Sequence, residues 1–306
     1  MPDNKFMKAI GENLNVINRR IGRAFKEKDP KPVQEMAEKL TEKEVDFIDI
    51  NLGPARKQGD ELMTWVVETV QEVTDTPLSL DTSNIEAIGA GLKVCKQKAL
   101  INSIMARPER YTAMIPMCVE AGASMIALLW GPEGLPRDEH ERANLATELV
   151  FAAFSEGVPM EDIWVDPIIT PLNIQQEQLM STLAFTEMLP EISGAITPEG
   201  PGCLSTCGLS NISNGVPDEL RPIINQTFLI MLQRKGMYSC IVDGFDDRIM
   251  SICRGERQDI VDLVWGVMDG QEYDYSTMDK EAVDYVKTAK VILGHTLFSE
   301  SWLELD

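Results

Sequence analysis

Short apolar runs rich in β-branched residues alternate along the chain with longer stretches whose apolar positions recur every three or four residues. The runs Lys8 to Asn13, Phe47 to Leu52, Leu78 to Thr82, Ala99 to Ile104, Ser124 to Trp130, Ile163 to Ile169, Leu204 to Leu209 and Tyr238 to Asp243 read as strands. Helical spacing follows them. Pro32 to Leu40 has proline at a helix start, and Glu61 to Val73 puts Leu62, Trp65, Val66, Thr69, Val70 and Val73 on one face. Ile85 to Cys95, Tyr111 to Glu120, Arg142 to Ser155 and Leu220 to Arg234 behave alike, and Glu281 to Phe298 reads as a closing helix. Near-continuous apolar strands separated by helices imply a parallel sheet covered on both sides. Eight such units predict an α/β fold, a closed (β/α)8 TIM barrel, over an open doubly wound sheet. No G-x-G-x-x-G follows the first strand and no P-loop is present, so nothing supports a nucleotide fold. The stretch from about Arg254 to Asp279 breaks the rhythm; its polar, turn-like Asp269-Gly270-Gln271 and Tyr273 to Thr277 read as an elaboration of the last unit with little apolar periodicity.

The 306-residue length fits one barrel domain spanning residues 1–306, or two small domains, and no linker divides the chain. Lys plus Arg number 28 against 49 Asp plus Glu, a net charge of −21. That balance opposes binding to a nucleic acid backbone or an anionic membrane. No apolar leader core lies in MPDNKFMKAI, and no run of about 20 apolar residues exists, so a cytoplasmic protein without a membrane span is expected. Of the six cysteines only Cys203 and Cys207 are close, as C-x3-C; with two histidines in the chain this is a poor zinc signature, and no metal is expected.

In a βα barrel the strand C-termini form the functional face. Here they carry Glu12-Asn13, Asp49 and Asn51 before Gly53, Asp81-Thr82-Ser83-Asn84, Asn102-Ser103, Asp166-Pro167, Ser210-Asn211 and Asp243. A single Asp or Asn at such a place commonly caps the next helix, and Asn84 reads as that. Recurrence around the barrel is less easily explained by capping. Carboxylates and carboxamides without Lys or Arg at the strand ends do not suit a phosphate-rich ligand. They suit a flat heterocycle with adjacent N–H donors, such as a pterin, whose exocyclic amine and ring N–H match a carboxylate bidentately.

Ile10-Gly11-Glu12, Asp49 to Gly53, Leu80 to Asn84, Ile101-Asn102-Ser103, Val165 to Ile168 and Gly208 to Asn211, in that order, resemble the pterin-binding methyltransferases, whose fold is dihydropteroate-synthase-like. The methyltetrahydrofolate:corrinoid (iron–sulfur) protein methyltransferases are the most similar type, over about Lys8 to Asp247 and again at the closing helix. The resemblance implies a methyltransferase that moves a methyl group between N5 of tetrahydrofolate and the cobalt of a corrinoid (cobalamin) held by a separate protein. It implies that Asp81, Asn102 and Asp166 hold the pterin ring and that Asn211 approaches N5 as the catalytic hydrogen bonder. Glu12, Asn51, Ser210, Asn214 and Asp243 are further site residues. No histidine or acid beyond the pterin-binding aspartates is expected to serve N5. By the same resemblance, folate is substrate, the corrinoid protein is partner and the chain is a homodimer. Asn214 stands where the family has glutamine and Gly131 where it has asparagine; Glu199 to Cys207 and the 254–279 stretch are largely additional. These departures favour a different corrinoid partner, such as that of an O-demethylase system. Two alternatives are a dihydropteroate synthase, whose late-strand basic motif is missing beside Ser210-Asn211, and a non-catalytic pterin-binding protein.

Overall fold

The computed structural model describes residues 6–55 and 57–303. Eight parallel strands alternate with helices in the order β1 (Lys8–Asn15), α1 (Arg19–Glu27), α2 (Pro30–Glu42), β2 (Phe47–Asn51), α3 (Gly59–Gln71), β3 (Leu78–Asp81), α4 (Ile85–Val94), β4 (Leu100–Met105), α5 (Pro108–Ala121), β5 (Ser124–Leu128), α6 (Glu139–Ser155), β6 (Ile163–Asp166), α7 (Gln176–Ile196), β7 (Leu204–Ser205), α8 (Arg221–Arg234), β8 (Ser239–Val242), α9 (Asp247–Cys253), α10 (Gln258–Met268) and α11 (Lys280–Ile292). A 3-10 turn, Leu209–Ser213, follows β7. The sheet runs β7-β6-β5-β4-β3-β2-β1-β8. Its two ends meet where the Ile241 N–H donates to the Cys207 carbonyl at 2.8 Å and Gly208 bridges Ile241. The chain is a (β/α)8 barrel, as the alternation predicts.

Period-two alternation along the strands sorts the barrel interior into two layers. Ile10, Leu100, Ile126, Trp164 and Ile241 form a dry floor with Phe47, Leu204 and Tyr238 packed against it. Trp164 meets the Phe47 and Tyr238 rings edge-on, with centroids 5.4 and 5.2 Å away. Two residues further along the same strands come Glu12, Asn102, Asp166 and Asp243, and the step from Phe47 leads to Asp49 and Asn51. The polar layer therefore sits on an apolar plug and faces the C-terminal mouth.

Several boundaries depart from the sequence pattern. β7 has two residues, because the chain leaves the sheet after Ser205 and coils into the 3-10 turn that presents Ser210 and Asn211. Helices α1 and α7 lie where no helix was expected. α7 buries Ser181, Thr182, Thr186 and Ser193 among Leu179, Leu183, Phe185 and Leu189, so its inner face lacks a clean apolar stripe. The 254–279 stretch has more order than its polarity implies. Within it α10 buries Ile260, Val261, Val264 and Val267, and the Trp265 indole N–H donates to the Ile230 carbonyl of α8 at 3.1 Å. The closing helix stops at Ile292. Among the described residues no helix is long and apolar enough to cross a membrane.

Candidate active site

Neighbouring strands bring the polar layer together. Asn51 pairs in register with Asp81, and Asp81 with Asn102, so one row crosses β2, β3 and β4. Below it the Asp49 Oδ1 accepts from the Ser79 hydroxyl at 2.6 Å and from the Asn102 Nδ2 at 3.0 Å. The second bond holds the Asn102 amide with its carbonyl oxygen directed elsewhere. The Asn51 Nδ2 donates to Asp81 Oδ2, while its Oδ1 takes the Gly53 N–H at 2.9 Å. Gly53 turns there at φ +60°, a conformation costly for a side chain with a Cβ. Thr82 and Asn84 complete the turn by donating to the Gly53 and Ala55 carbonyls at 2.6 and 2.8 Å. Asn84 also caps α4, accepting from the Glu86 and Ala87 N–H groups, as expected from its position.

Across the mouth, Asp166 is 8% exposed. Its Oδ1 accepts the Ile168 N–H at 2.8 Å, and its Oδ2 has no donor among the described residues. Ile168 adopts φ +66°, a left-handed conformation that a β-branched residue adopts only under constraint. Beneath this turn lies Arg142, fully buried, donating to the Pro167 carbonyl at 2.9 Å, the Ser181 hydroxyl at 2.8 Å and the Gln178 carbonyl oxygen at 2.9 Å. Nothing in the sequence separates Arg142 from an ordinary first-turn helix residue, and it was missed. Its signal is visible only in three dimensions: a cation whose donors all point inward.

The 3-10 turn after β7 supplies the remaining wall. The Ser210 hydroxyl donates to Glu12 Oε2 at 3.3 Å. The Asn211 Oδ1 accepts the Asn214 Nδ2 at 3.2 Å, and the Asn211 Nδ2 has no acceptor among the described residues. Asn214 thus serves by holding Asn211. Asp243 is exposed and its Oδ1 already accepts from the Asn13 Nδ2 at 2.6 Å and the Phe245 N–H at 2.9 Å. These bonds tie it to the loop after β8.

Burial governs the titration of the layer. Desolvation pushes Asp166 up to about 7, moderated by the Ile168 N–H and the Arg142 charge. It lifts Asp49 to about 6 against the pull of Ser79 and Asn102. Asp81 is raised by burial and by the neighbouring Asp49 charge. Glu12, on β1, also reaches about 7, raised chiefly by burial. A helix, and not a strand end, brings a further cation to this wall. Arg221, in the first turn of α8, donates to the Ser213 hydroxyl at 3.2 Å and its charge acts on Glu12. Cys207 lies against Cys240, Sγ to Sγ 3.5 Å. No group of three His, Cys, Asp or Glu side chains placed to hold a metal occurs among the described residues.

Residues 11–243 match the family described as pterin binding enzyme. The chain belongs to that family. It is 28% identical over 236 residues to a methylcorrinoid:tetrahydrofolate methyltransferase of Eubacterium limosum, covering 76% of this chain and 84% of that one. It is 26% identical over 282 residues to a methionine synthase of Mycobacterium leprae, of which it spans 23% while 89% of this chain is covered. Its fold superposes on a dihydropteroate synthase from Xanthomonas albilineans in complex with 7,8-dihydropteroate with a TM-score of 0.58 at 17% identity, over 88% of this chain and 95% of that one. A 7,8-dihydropteroate synthase from Vibrio fischeri gives 0.61 at 17% identity, over 84% and 94%. At these identities the solved structures share the fold alone.

Proposed function

We propose that this pterin-binding barrel is a methyltransferase acting between N5 of (methyl)tetrahydrofolate and the cobalt of a corrinoid carried by a partner protein. The observation that carries this reading is the Ser210-Asn211 pair on the turn after β7. It places an amide N–H without an acceptor on the wall of a mouth whose other walls offer Asp81, Asn102 and Asp166. The Eubacterium limosum relative is named for methyl transfer between the same two kinds of molecule, which supports the reading.

The donor set fits a pterin. Asp166 keeps a free Oδ2, and Asp81 keeps Oδ1 while Asn51 holds Oδ2. A ring N–H or an exocyclic amine donates to each such oxygen and favours the ionised form, while the held Asn102 amide takes a further contact. N5 is an amine and leaves the methyl group poorly unless the electron pair it regains is stabilised. The Asn211 N–H hydrogen-bonds at that atom and strengthens as charge gathers there, a transition-state contribution and not proton delivery. The methyl group passes to or from the cobalt by in-line displacement, so the corrinoid must reach the mouth from outside. Four exposed apolar side chains surround that approach: Ile17 after β1, Trp130 after β5, Ile174 after β6 and Phe245 after β8, with Ile17 84% and Ile174 72% exposed. Apolar side chains this exposed around a polar opening match a partner that docks over the mouth.

A dihydropteroate synthase must hold a pyrophosphate, and the strand ends carry no lysine for it. Supplying dihydropterin pyrophosphate and p-aminobenzoate tests this: no dihydropteroate should form, while methyltetrahydrofolate and a cobalt(I) corrinoid should give the methylcobalt spectrum. The converse pair of results would replace the proposed activity with the synthase.

A further inference from the structure

Glu12 enters the mouth and has a partner of its own there. It stands two residues beyond the floor residue Ile10, so its side chain enters the mouth. Its Oε2 is bonded to the Ser210 hydroxyl, one residue from Asn211. A hydroxyl both donates and accepts, so Ser210 is built to hand on a proton, which the Asn211 amide is not. We propose that Glu12, through the Ser210 hydroxyl, is the group that exchanges the proton with N5.

The inference rests on the proposed methyl transfer. When the methyl group leaves, the cobalt(I) electron pair forms the cobalt–carbon bond and the carbon–N5 bond breaks with its pair left on N5. N5 then takes a proton from the Ser210 hydroxyl, which takes one from the Glu12 carboxyl, leaving a carboxylate. When the methyl group arrives, the same protons move backward and Glu12 ends protonated. Electrons and protons balance in both directions with no further reactant.

The surroundings suit a group that must be found in both states near neutrality. Burial raises the Glu12 carboxyl to about 7; the Ser210 bond lowers it, the Asp49 charge on β2 and the Asp243 charge after β8 raise it, and Arg221 on α8 lowers it. General acids and bases work best with such a value close to the operating pH. Asp49 is a poorer donor, since its Oδ1 is already engaged by Ser79 and Asn102.

Single-turnover methyl transfer from methyltetrahydrofolate to cobalt(I) cobalamin tests the role across pH 5.5 to 9. The wild-type rate should fall as pH rises through about 7. Glu12→Gln should lose about a hundred- to ten-thousand-fold at low pH and lose that pH dependence, with methyltetrahydrofolate affinity retained. Proton uptake on binding, read by calorimetry in buffers of different ionisation heat, should change in the variant. Ser210→Ala keeps the carboxyl and should also slow transfer, which covers the case of a misfolded Glu12 variant. A Glu12→Gln protein with the wild-type pH profile, or a Ser210→Ala protein with the wild-type rate, overturns the inference. Absence of transfer by wild type at every pH would instead overturn the methyltransferase reading on which it rests.

Discussion

Asp166→Asn should weaken folate binding and strengthen the free protein. The substitution keeps Oδ1, so the Ile168 N–H at 2.8 Å retains its acceptor and the turn after β6 holds. It replaces the free Oδ2 with an amide that donates. Two pterin N–H groups would then meet a donor where a charged acceptor stood, a loss on the order of 3–4 kcal/mol, or about a hundred- to a thousand-fold in Kd. Stability moves the other way. Burial raises the Asp166 carboxyl from 3.8 to about 7, so the folded protein holds a proton that the unfolded chain releases across that interval. A raised folded-state value contributes stability that is complete below the unfolded value and is lost as pH climbs through the folded one. At pH 8 the native state therefore carries a buried charge costing up to about 4 kcal/mol, and the amide removes it. Arg142 limits the gain, because its charge partly compensates the carboxylate, although its own hydrogen bonds go to Pro167, Ser181 and Gln178. A net gain of about 2 kcal/mol would raise the urea midpoint by roughly 1 M at pH 8 and leave it unchanged near pH 4. Urea titrations at the two pH values and calorimetric folate binding check both halves. Wild-type folate affinity in the variant, or a lower midpoint at pH 8, would refute the assignment of Asp166 as a desolvated carboxylate held for a ligand.

Asn211→Ala should keep folate affinity within a few-fold and lower the single-turnover transfer rate by about a hundred- to a thousand-fold, measured by stopped-flow absorbance; equal losses in binding and rate would make it a binding residue only. Ile174→Asp should weaken saturation by a corrinoid protein by tenfold or more and leave transfer with free cobalamin unchanged, since Ile174 is 72% exposed on the loop after β6. Arg142→Leu should lower the urea midpoint markedly, because Pro167, Ser181 and Gln178 would all lose their partner inside the protein.

The barrel was legible because its strands are short apolar runs and most of its helices carry a stripe at helical spacing. Asn102 and Asp166 stand out for a related reason, each a polar residue two places beyond a floor residue, and Asp81 closes the short run of β3. Helix α7 was not, since its buried face mixes Ser181, Thr182 and Thr186 with leucines, and hydroxyls that bond back to the preceding turn erase the periodicity. α10 was hidden by the polar turns that flank it. Arg142 and Arg221 escaped notice because helix residues reach the mouth only through the fold. Glu12 was named by its strand position, but its acidity depends on Ser210, nearly two hundred residues away, and on burial that no local pattern records.

The most direct measurement is methyl transfer from methylcobalamin, free or bound to a corrinoid protein, to tetrahydrofolate under anaerobic conditions, followed by the cobalt spectrum and by chromatography of the folate. A methyltransferase of this construction yields cobalt(I) cobalamin and 5-methyltetrahydrofolate in equal amounts, and Asn211→Ala slows the formation of both. Folate binding without any transfer, from the free or the protein-bound corrinoid, would contradict the central claim.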